Sequence, residues 1–277
     1  MLRWGTKTYV MGIVNATPDS FSGDGLGADV ATLVARGEQC VREGADLLDI
    51  GGESTRPGAT FVSEAEEMAR VVPVIAALAA RVTVPLSVDT SRAAVAEAAL
   101  AAGATMVNDV WGLHRDRALA AVVARAGAAL VLMHNRHAVP AANDALGGHY
   151  NAVAYPGDLL AAISGWLREG ITWAEAAGVA RTQLLVDPGI GFGKTPVQNL
   201  EVMRRFGELR ALGLPVLLAT SRKSFIGRTL DLPVTERVEG TAATVALGIA
   251  AGADMIRVHD VREMSRVARM SDAIVRG

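Results

Sequence analysis

Short apolar segments alternate with helical patterns along the whole chain. One unit occurs four times: an apolar-periodic helix ends at a glycine, an alanine follows, and a short apolar strand then ends in a polar residue. Its copies are residues 44–49, 103–108, 127–134 and 252–259. Each glycine stands where a helix closes through a left-handed residue, a conformation in which other residues suffer a clash of their Cβ. The unit therefore predicts a helix end followed directly by a buried strand.

Further strands and helices fit between these copies. Four more strands are predicted at about residues 9–14, 84–88, 183–186 and 215–219, which makes eight in total. The intervening helices have apolar faces, formed in two of them by Val30, Leu33, Val34, Gly37 and Val41, and by Met68, Val71, Val72, Ile75 and Ala79. Pro73 lies inside the second pattern and is expected to kink that helix or to mark its true start.

This alternation predicts the fold class. Nearly continuous apolar strands separated by amphipathic helices require a parallel sheet covered by helices. Eight such units favour closure into a single-domain (β/α)8 TIM barrel that uses the whole chain, residues 1–277. An open, doubly wound sheet is the alternative. The least regular stretch, residues 135–156, is longer than an ordinary connection and suggests a mobile excursion on the top face.

Composition narrows the class of partner. The formal net charge of -2 gives no electrostatic reason to expect nucleic acid or an anionic membrane surface. The single cysteine, Cys40, cannot form an intramolecular disulfide, and its apolar helical surroundings indicate a buried, inert thiol in a reducing, cytoplasmic setting. No long apolar run follows the N-terminus, so neither export nor membrane insertion is expected.

Polar residues end nearly every predicted strand, where active sites of such barrels are found. They are Asn15, Asp49, Asp89, Asn108, His134, Asp187, Ser221, Arg222, Lys223, Ser224, Arg257 and His259. Any one of them is more readily explained as a helix cap or a loop hydrogen-bonder than as a catalyst. Because so many strands share the feature, the set predicts one polar basin at the carboxyl ends of the strands.

Several loops of this basin have the chemistry of an anion site. Residues 51–58 combine glycines, hydroxyls and the guanidinium of Arg56, which can fork onto phosphate oxygens, although a plain Gly-rich turn would look similar. Lys223 and Ser224 are expected to open a helix whose free N–H groups favour an anion. Arg257 and His259 alternate along the last strand and can address one ligand together.

The first loop and the sixth loop bear on cofactors. Asparagine and aspartate oxygens in residues 15–25 suit Mg2+, although a turn would use the same residue types. Residues 187–194 are Gly-rich without the spacing of a Walker A loop, so ATP is not predicted. The chain has no Cys or His clusters at zinc spacing, and no Ser-His-Asp grouping can be assigned.

Five of these motifs, in this order, resemble those of the dihydropteroate synthase family. They are residues 15–21, 49–58, 187–194, 221–224 and 257–260, and the resemblance runs from about Val10 to Val261. It implies that the amino group of p-aminobenzoate attacks the methylene carbon of 6-hydroxymethyl-7,8-dihydropterin diphosphate. The products would be 7,8-dihydropteroate and diphosphate, in a Mg2+-dependent homodimer of the kind that sulfonamides target.

The same resemblance implies the roles of individual residues. Asp89, Asp187, Lys223 and Arg257 would be the catalytic set. The pterin would be held by Asp89, Asn108, Asp187 and Lys223, with Arg257 along its ring. The diphosphate would be held by Asn15, Thr55, Arg56, Arg257 and His259, with Mg2+ near Asn15 and Asp19. The p-aminobenzoate pocket would be formed by Phe21, Arg56, Pro57, Phe192, Lys223 and Ser224.

Two departures from the family pattern and two alternatives remain open. The first loop reads Ser22, Gly23, Asp24, Gly25 where typical members have Ser-Asp-Gly-Gly, and Asn135 to His137 replace the usual continuation after the fifth strand. A methyltransferase domain that binds methyltetrahydrofolate shares this barrel but would not need Thr55, Arg56 or residues 221–224. A pterin-binding paralogue without synthase activity is the other alternative.

Overall fold

Eight parallel strands form one sheet that closes on itself. The computed structural model describes residues 3–16, 29–53, 62–135, 155 and 157–277. The strands are β1 (Tyr9–Asn15), β2 (Leu47–Gly51), β3 (Leu86–Asp89), β4 (Met106–Asp109), β5 (Ala129–Met133), β6 (Leu184–Asp187), β7 (Leu217–Leu218) and β8 (Met255–Val258). Their order is β6-β5-β4-β3-β2-β1-β8-β7, and all these pairs are parallel. A parallel bridge between Val186 and Val216 joins the two edges. The prediction of a (β/α)8 barrel is therefore confirmed.

Helices follow the strands and cover the outside of the barrel. Within the described ranges they are α1 (Val30–Glu43), α2 (Glu64–Ala79), α3 (Ala93–Ala101), α4 (Ala118–Ala126), α5 (Leu159–Ala176), α6 (Pro196–Arg204), α7 (Ser224–Leu230), α8 (Val238–Ala250) and α9 (Val261–Val275). None of these helices combines the length and apolar character needed to cross a membrane. The segment from Asn135 to Pro156 falls almost wholly outside the described residues, apart from Asn135 and Tyr155.

The four repeated glycines behave as their pattern predicts. Gly44, Gly103, Gly127 and Gly252 have φ values of 108°, 116°, 61° and 103°, in the left-handed region that closes a helix. At Gly103 an added Cβ would also lie 2.7 Å from the Cβ of Ala79. Strand boundaries deviate by only a few residues, most at β7, which is shorter than predicted because only Leu217 and Leu218 have strand geometry.

The two predicted helix faces need correction. In α1 the buried residues are Leu33, Val34, Gly37 and Cys40, whereas Val30 is 36% exposed at the first position of the helix. Cys40 is a buried free thiol, as expected, and burial raises its pKa. Val41, the last residue of the predicted face, is half-buried and packs against the same core, so only Val30 departs from the prediction.

Helix α2 differs from its prediction in start and in face. It begins at Glu64, where the Ser63 side chain accepts a hydrogen bond from the Glu66 N–H, and it continues past Pro73. Pro73 therefore does not mark the start. The buried residues are Val71, Val74, Ile75, Leu78 and Glu67. Of the predicted face, Val71 and Ile75 are buried and Met68 and Val72 pack half-buried against the same core, whereas Ala79 is exposed.

Alternation along the strands separates two apolar cores. One set of side chains points outward against the helices and includes Val10, Leu48, Ile50, Val88, Val107 and Ile256. The other points into the barrel and forms what we call the apolar floor: Tyr9, Met11, Leu47, Met106, Val131, Leu185, Leu217, Ala219 and Met255. Such interior layers of side chains make the barrel a packed core rather than a pore. Anything bound inside must therefore lie above the floor.

Candidate active site

A polar layer lies directly above the apolar floor. It consists of Asp49, Asp89, Asn108, Asp187 and Arg257, and four of these lie two residues beyond floor residues. Because side chains alternate along a strand, this spacing places both members of each pair on the inner face. The layer therefore collects polar groups from strands β2, β3, β4, β6 and β8 at the carboxyl end of the barrel.

Arg257 is the centre of the hydrogen bonding in this layer. Its Nε donates to Asp49 Oδ2 at 2.6 Å, and its Nη2 donates to Asp89 Oδ2 at 2.7 Å. Asn108 Nδ2 donates to the same Asp49 oxygen at 2.9 Å. Four residues from four strands are thus joined in one network. The amide and the guanidinium fix Asp49, which is fully buried.

The polar layer has an excess of acidic groups around Arg257, because two carboxyl groups share one guanidinium. Burial raises the pKa of Asp89 from 3.8 to about 7, against the opposing effect of Arg257 and with added repulsion from Asp49. Burial would lower the pKa of Arg257, but Asp49 and Asp89 outweigh it and the pKa is raised. Arg257 therefore stays charged, whereas Asp89 can hold a proton near neutral pH.

Two polar atoms below this network have no partner among the described residues: Asp49 Oδ1 and Ser87 Oγ. They belong to paired positions on β2 and β3. Buried polar atoms are rarely left unsatisfied. The lower rim of the layer is thus the part of the barrel where a water or a ligand atom would gain most from hydrogen bonding.

The loop after β6 supplies the second cation of the site. Asp187 accepts from the Gly189 N–H at 2.7 Å, and Lys223 donates through Nζ to the Ile190 carbonyl. The Lys223 ammonium also lies 4.7 Å from the centroid of the Phe192 ring. Burial lowers the pKa of Lys223 to about 8, although Asp187 favours the charged form. Burial likewise raises the pKa of Asp187, with Lys223 opposing it.

His134 does not join the polar layer, which corrects its assignment to the basin. Met133, the residue before it, packs with Trp111 and Phe192 near the mouth. His134 follows it onto the opposite face of the strand, where it is 1% exposed and meets the Trp166 ring edge-on. Its Nδ1 lies 2.9 Å from the Nζ of Lys194. The sequence pattern could not distinguish the two faces because the residue lies just past the strand end.

A strained turn links the ends of β7 and β8. Arg222 has φ 57°, and its Nε donates to Asp260 Oδ2 at 2.9 Å. Ser221 Oγ accepts from the His259 N–H at 3.1 Å and lies 3.0 Å from His259 Nδ1. Left-handed residues other than glycine carry a conformational cost and are concentrated at functional sites. These contacts hold Lys223 and His259 on one side of the mouth.

A buried ion network beside the second loop was missed by the sequence reading. Arg92 Nη2 donates to Glu53 Oε1 at 2.9 Å and to the Val62 carbonyl at 2.7 Å. Arg92 also pairs with Glu67, and Arg115 lies 3.3 Å from Glu53. Glu67 is 1% exposed, and the apolar periodicity of α2 gave no signal for the burial of this carboxylate.

The remaining predicted site residues divide into two groups. Asp19, Phe21, Thr55, Arg56 and Pro57 lie outside the described residues. Asn15 ends β1, and no hydrogen bond within the described part of the chain uses its side chain. Ser224 is the first residue of α7, with Lys223 as the N-cap, which confirms the predicted helix start.

Comparison with known proteins gives one consistent result. The family model described as "Pterin binding enzyme" matches residues 11–259. A dihydropteroate synthase of Bacillus subtilis is 48% identical over 99% of this chain and 91% of its own length. A crystal structure of the dihydropteroate synthase of Clostridium difficile, in the presence of pteroic acid, has a TM-score of 0.92 at 44% identity and full coverage of both chains. The Xanthomonas albilineans enzyme in complex with 7,8-dihydropteroate has a TM-score of 0.84 at 40% identity, with 97% and 94% coverage.

Proposed function

The chain belongs to the dihydropteroate synthase family of pterin-binding enzymes, and we propose that the polar layer is where it joins its two substrates. The reaction is the condensation of 6-hydroxymethyl-7,8-dihydropterin diphosphate with p-aminobenzoate. It gives 7,8-dihydropteroate and diphosphate. The observation that carries this proposal is the network in which Arg257 joins Asp49 and Asp89 above an apolar floor.

The pterin is assigned to the polar layer because its ring carries an edge of hydrogen-bond donors and acceptors. Asp89, Asn108 and Asp187 offer carboxylate and amide groups, and Lys223 offers a donor from above. The planar guanidinium of Arg257 suits contact along a flat ring. The floor below excludes water, which strengthens each of these hydrogen bonds.

The diphosphate is assigned to the cationic rim. Arg257 lies on β8 and His259 directly follows that strand. Asn15, Thr55 and Arg56 complete the proposed diphosphate-binding set. Mg2+ takes few protein oxygens and otherwise keeps water and phosphate oxygens, so Asn15 with Asp19 is a suitable pair. No group of three His, Cys, Asp or Glu side chains able to hold a metal occurs within the described ranges.

The reaction is proposed to be dissociative, with the bond from carbon to oxygen breaking before the amine attacks. Bound Mg2+ would neutralise negative charge on the leaving diphosphate. Arg257 and His259 add positive charge on the same side, and the carboxylate of Asp89 stabilises the electron-poor methylene carbon. An aromatic amine is neutral at pH 7 and needs no strong base. Lys223 and Asp187 thus act by positioning and electrostatics, without a covalent intermediate.

The p-aminobenzoate is assigned to the side of the mouth formed by Phe192, Lys223 and Ser224, together with Phe21, Arg56 and Pro57. Phe192 packs on Trp111 and Met133, so its ring is a fixed wall. The cation of Lys223 lies over that ring. The ring of p-aminobenzoate can stack on Phe192. Its carboxylate can be neutralised by the ammonium group of Lys223.

We further propose a homodimer through the outer face of α8 and α9, in a cytoplasmic enzyme. Leu247 on α8 is 67% exposed, and Met270 and Ile274 on α9 are 62% and 70% exposed. Met270 and Ile274 share one face of α9 by their spacing of four residues. Replacing Ile274 with Asp should convert the dimer to a monomer in sedimentation equilibrium, and an unchanged mass would contradict the assignment.

A turnover assay with both substrates and Mg2+ tests the function. Diphosphate should be released only when the pterin diphosphate and p-aminobenzoate are present together. Methyl transfer from methyltetrahydrofolate would instead support the methyltransferase alternative, and pterin binding without turnover would support the inactive paralogue. Chelation should abolish turnover reversibly if Mg2+ is required. A trapped covalent adduct on Lys223 would contradict the dissociative mechanism.

A further inference from the structure

Lysine is rare in this chain. Only Lys7, Lys194 and Lys223 occur among the 27 basic residues, and all the others are arginine. Lys7 is an exposed residue that pairs with Asp46. Lys194 lies within the loop that joins β6 to α6, and Lys223, just before α7, donates to the Ile190 carbonyl of the same loop. Two of the three lysines thus meet at one loop.

Lys194 is buried, with 2% of its surface exposed, and its ammonium group lies among three acceptors. Its Nζ is 2.9 Å from the Gly189 carbonyl, 3.0 Å from the Phe192 carbonyl and 2.9 Å from His134 Nδ1. A tetrahedral ammonium offers three donors for these three atoms. A neutral amine could donate to the carbonyls and accept from the imidazole. The planar, wider guanidinium of arginine could not fill the same space.

The β6–α6 loop, whose carbonyls Lys194 binds, carries the groups that contact Lys223 and Asp187. Between the two carbonyls bound by Lys194 lies Ile190, whose own carbonyl accepts from Lys223. The Gly189 N–H donates to Asp187 Oδ1 at 2.7 Å. The Phe192 ring lies under the Lys223 ammonium. The hydrogen bonds of Lys194 to the Gly189 and Phe192 carbonyls therefore fix both ends of this loop segment.

Close packing explains why the loop needs an internal tie. Gly189 approaches the His134 carbonyl so closely that an added Cβ would lie 1.9 Å from that oxygen. Gly191 is held from the other side, because its N–H donates to Asn199 Oδ1 at 2.7 Å. Thr195, next to Lys194, caps α6 through a hydrogen bond from the Gln198 N–H. The loop is thus clamped between β5 and α6, with Lys194 in the middle.

We propose that Lys194 is a positioning residue that shapes the β6–α6 loop so that the Ile190 carbonyl and the Phe192 ring hold the Lys223 ammonium. The inference rests on the proposed function for its catalytic consequence, because Lys223 is assigned there to both substrates. Its structural part stands independently of any activity. Lys194 itself contacts only protein groups among the described residues.

Nuclear magnetic resonance of the full chain labelled with 13Cε-lysine tests the structural part. Three lysines give three signals, and the Lys194→Met variant identifies its own signal by its loss. The Phe192 ring should shift the Lys223 signal, and we expect that shift to collapse in Lys194→Met. Lys7, 5.0 Å from the Tyr9 ring centroid, is the internal control and should not move. An unchanged Lys223 signal beside an unchanged Lys7 signal would overturn the proposal.

Steady-state kinetics test the catalytic part. Misplacing a positioned group by an ångström costs on the order of 100-fold, so Lys194→Met should lose about 10- to 100-fold in kcat/KM for p-aminobenzoate. Part of this loss should be a raised KM. A purely structural role would lower the active fraction and leave KM unchanged. The matched control, Lys7→Met, should keep both parameters.

A second variant protects the test against misfolding. Lys194→Gln keeps a donor in the cavity and should give smaller changes in the same direction as Lys194→Met. If Lys194→Met unfolds, Lys194→Gln is judged by the same criteria. Loss of the fold in both variants would mean that Lys194 serves stability alone and would overturn the proposal. Absence of turnover in the wild-type protein would contradict the proposed function, while the resonance test would still decide the role of Lys194.

Discussion

The barrel interior has an apolar lower half and a charged upper half, both built on the same strands. The apolar floor gains stability from packing of side chains such as Leu47, Met106 and Met255. The polar layer above contains three carboxylates, Asp49, Asp89 and Asp187, with few exposed atoms. Burying charge costs free energy that pairing repays only in part. The comparison teaches that the floor stabilises the fold, whereas the polar layer, the proposed substrate site, costs stability.

The largest expected effect comes from removing the cation of the polar layer. Arg257→Met leaves Asp49 and Asp89 without their partner, so the free energy of unfolding should fall by about 3–5 kcal/mol. Turnover should be lost in the folded fraction. Urea unfolding and initial rates measure the two effects. The control is Arg125→Met, which breaks the exposed pair with Glu97 and should cost about 1 kcal/mol or less.

Truncation of the floor should have a different signature. Leu47→Ala removes a fully buried side chain and should destabilise the protein by about 2–5 kcal/mol. KM for both substrates should stay near the wild-type value in the protein that remains folded, because both are proposed to bind above the floor. Kinetics below the melting temperature provide the measurement. If KM rose as strongly as in variants of the polar layer, the division into two halves would be wrong.

The pH dependence of stability should report the unequal charge of the upper half. The pKa of Asp89 is raised from 3.8 to about 7, chiefly by burial, so the folded state keeps a proton that the unfolded chain releases. The unfolding free energy should therefore fall as pH rises through this window, by at most about 1.4 kcal/mol per pH unit for one group. Burial also raises the pKa of Asp187, which acts in the same direction.

Asp89→Asn is the variant that isolates this contribution. Its stability profile should be flatter than that of the wild type between pH 4 and pH 7, roughly the window set by the two pKa values. Chemical denaturation at several pH values measures the difference. Parallel profiles of the two proteins would mean that Asp89 titrates as it does in the unfolded chain.

The smallest expected effect lies at the rim of the polar layer. Asp260→Asn removes the partner of Arg222, whose side chain is 41% exposed, so stability should change by only about 0.2–1 kcal/mol. The turn that carries Lys223 would lose one of its two ties to the segment after β8, the other being Ser221 with His259. KM for the pterin diphosphate should rise a few-fold, an estimate based on loss of positioning. A stability loss without any kinetic change would mean that the Arg222–Asp260 pair contributes to folding stability only.

The sequence determined the barrel and most of the polar layer. Strand periodicity and the closing glycines are local features, so Gly44, Gly103, Gly127 and Gly252 marked the strand starts correctly. Asp89, Asn108, Asp187 and Arg257 were predicted to meet because each lies at the carboxyl end of a predicted strand. These features depend on neighbours in the chain, which a sequence displays directly.

Only the tertiary structure decided which face a residue takes beyond a strand or across a helix. His134 turns outward to Lys194 although it follows an inward residue, and Glu67 turns inward to meet Arg92. The same holds for Lys194, whose Nζ meets His134 Nδ1 across 60 residues of the chain. Such contacts depend on the close approach of segments that are distant in sequence, and periodicity within one segment carries no record of them.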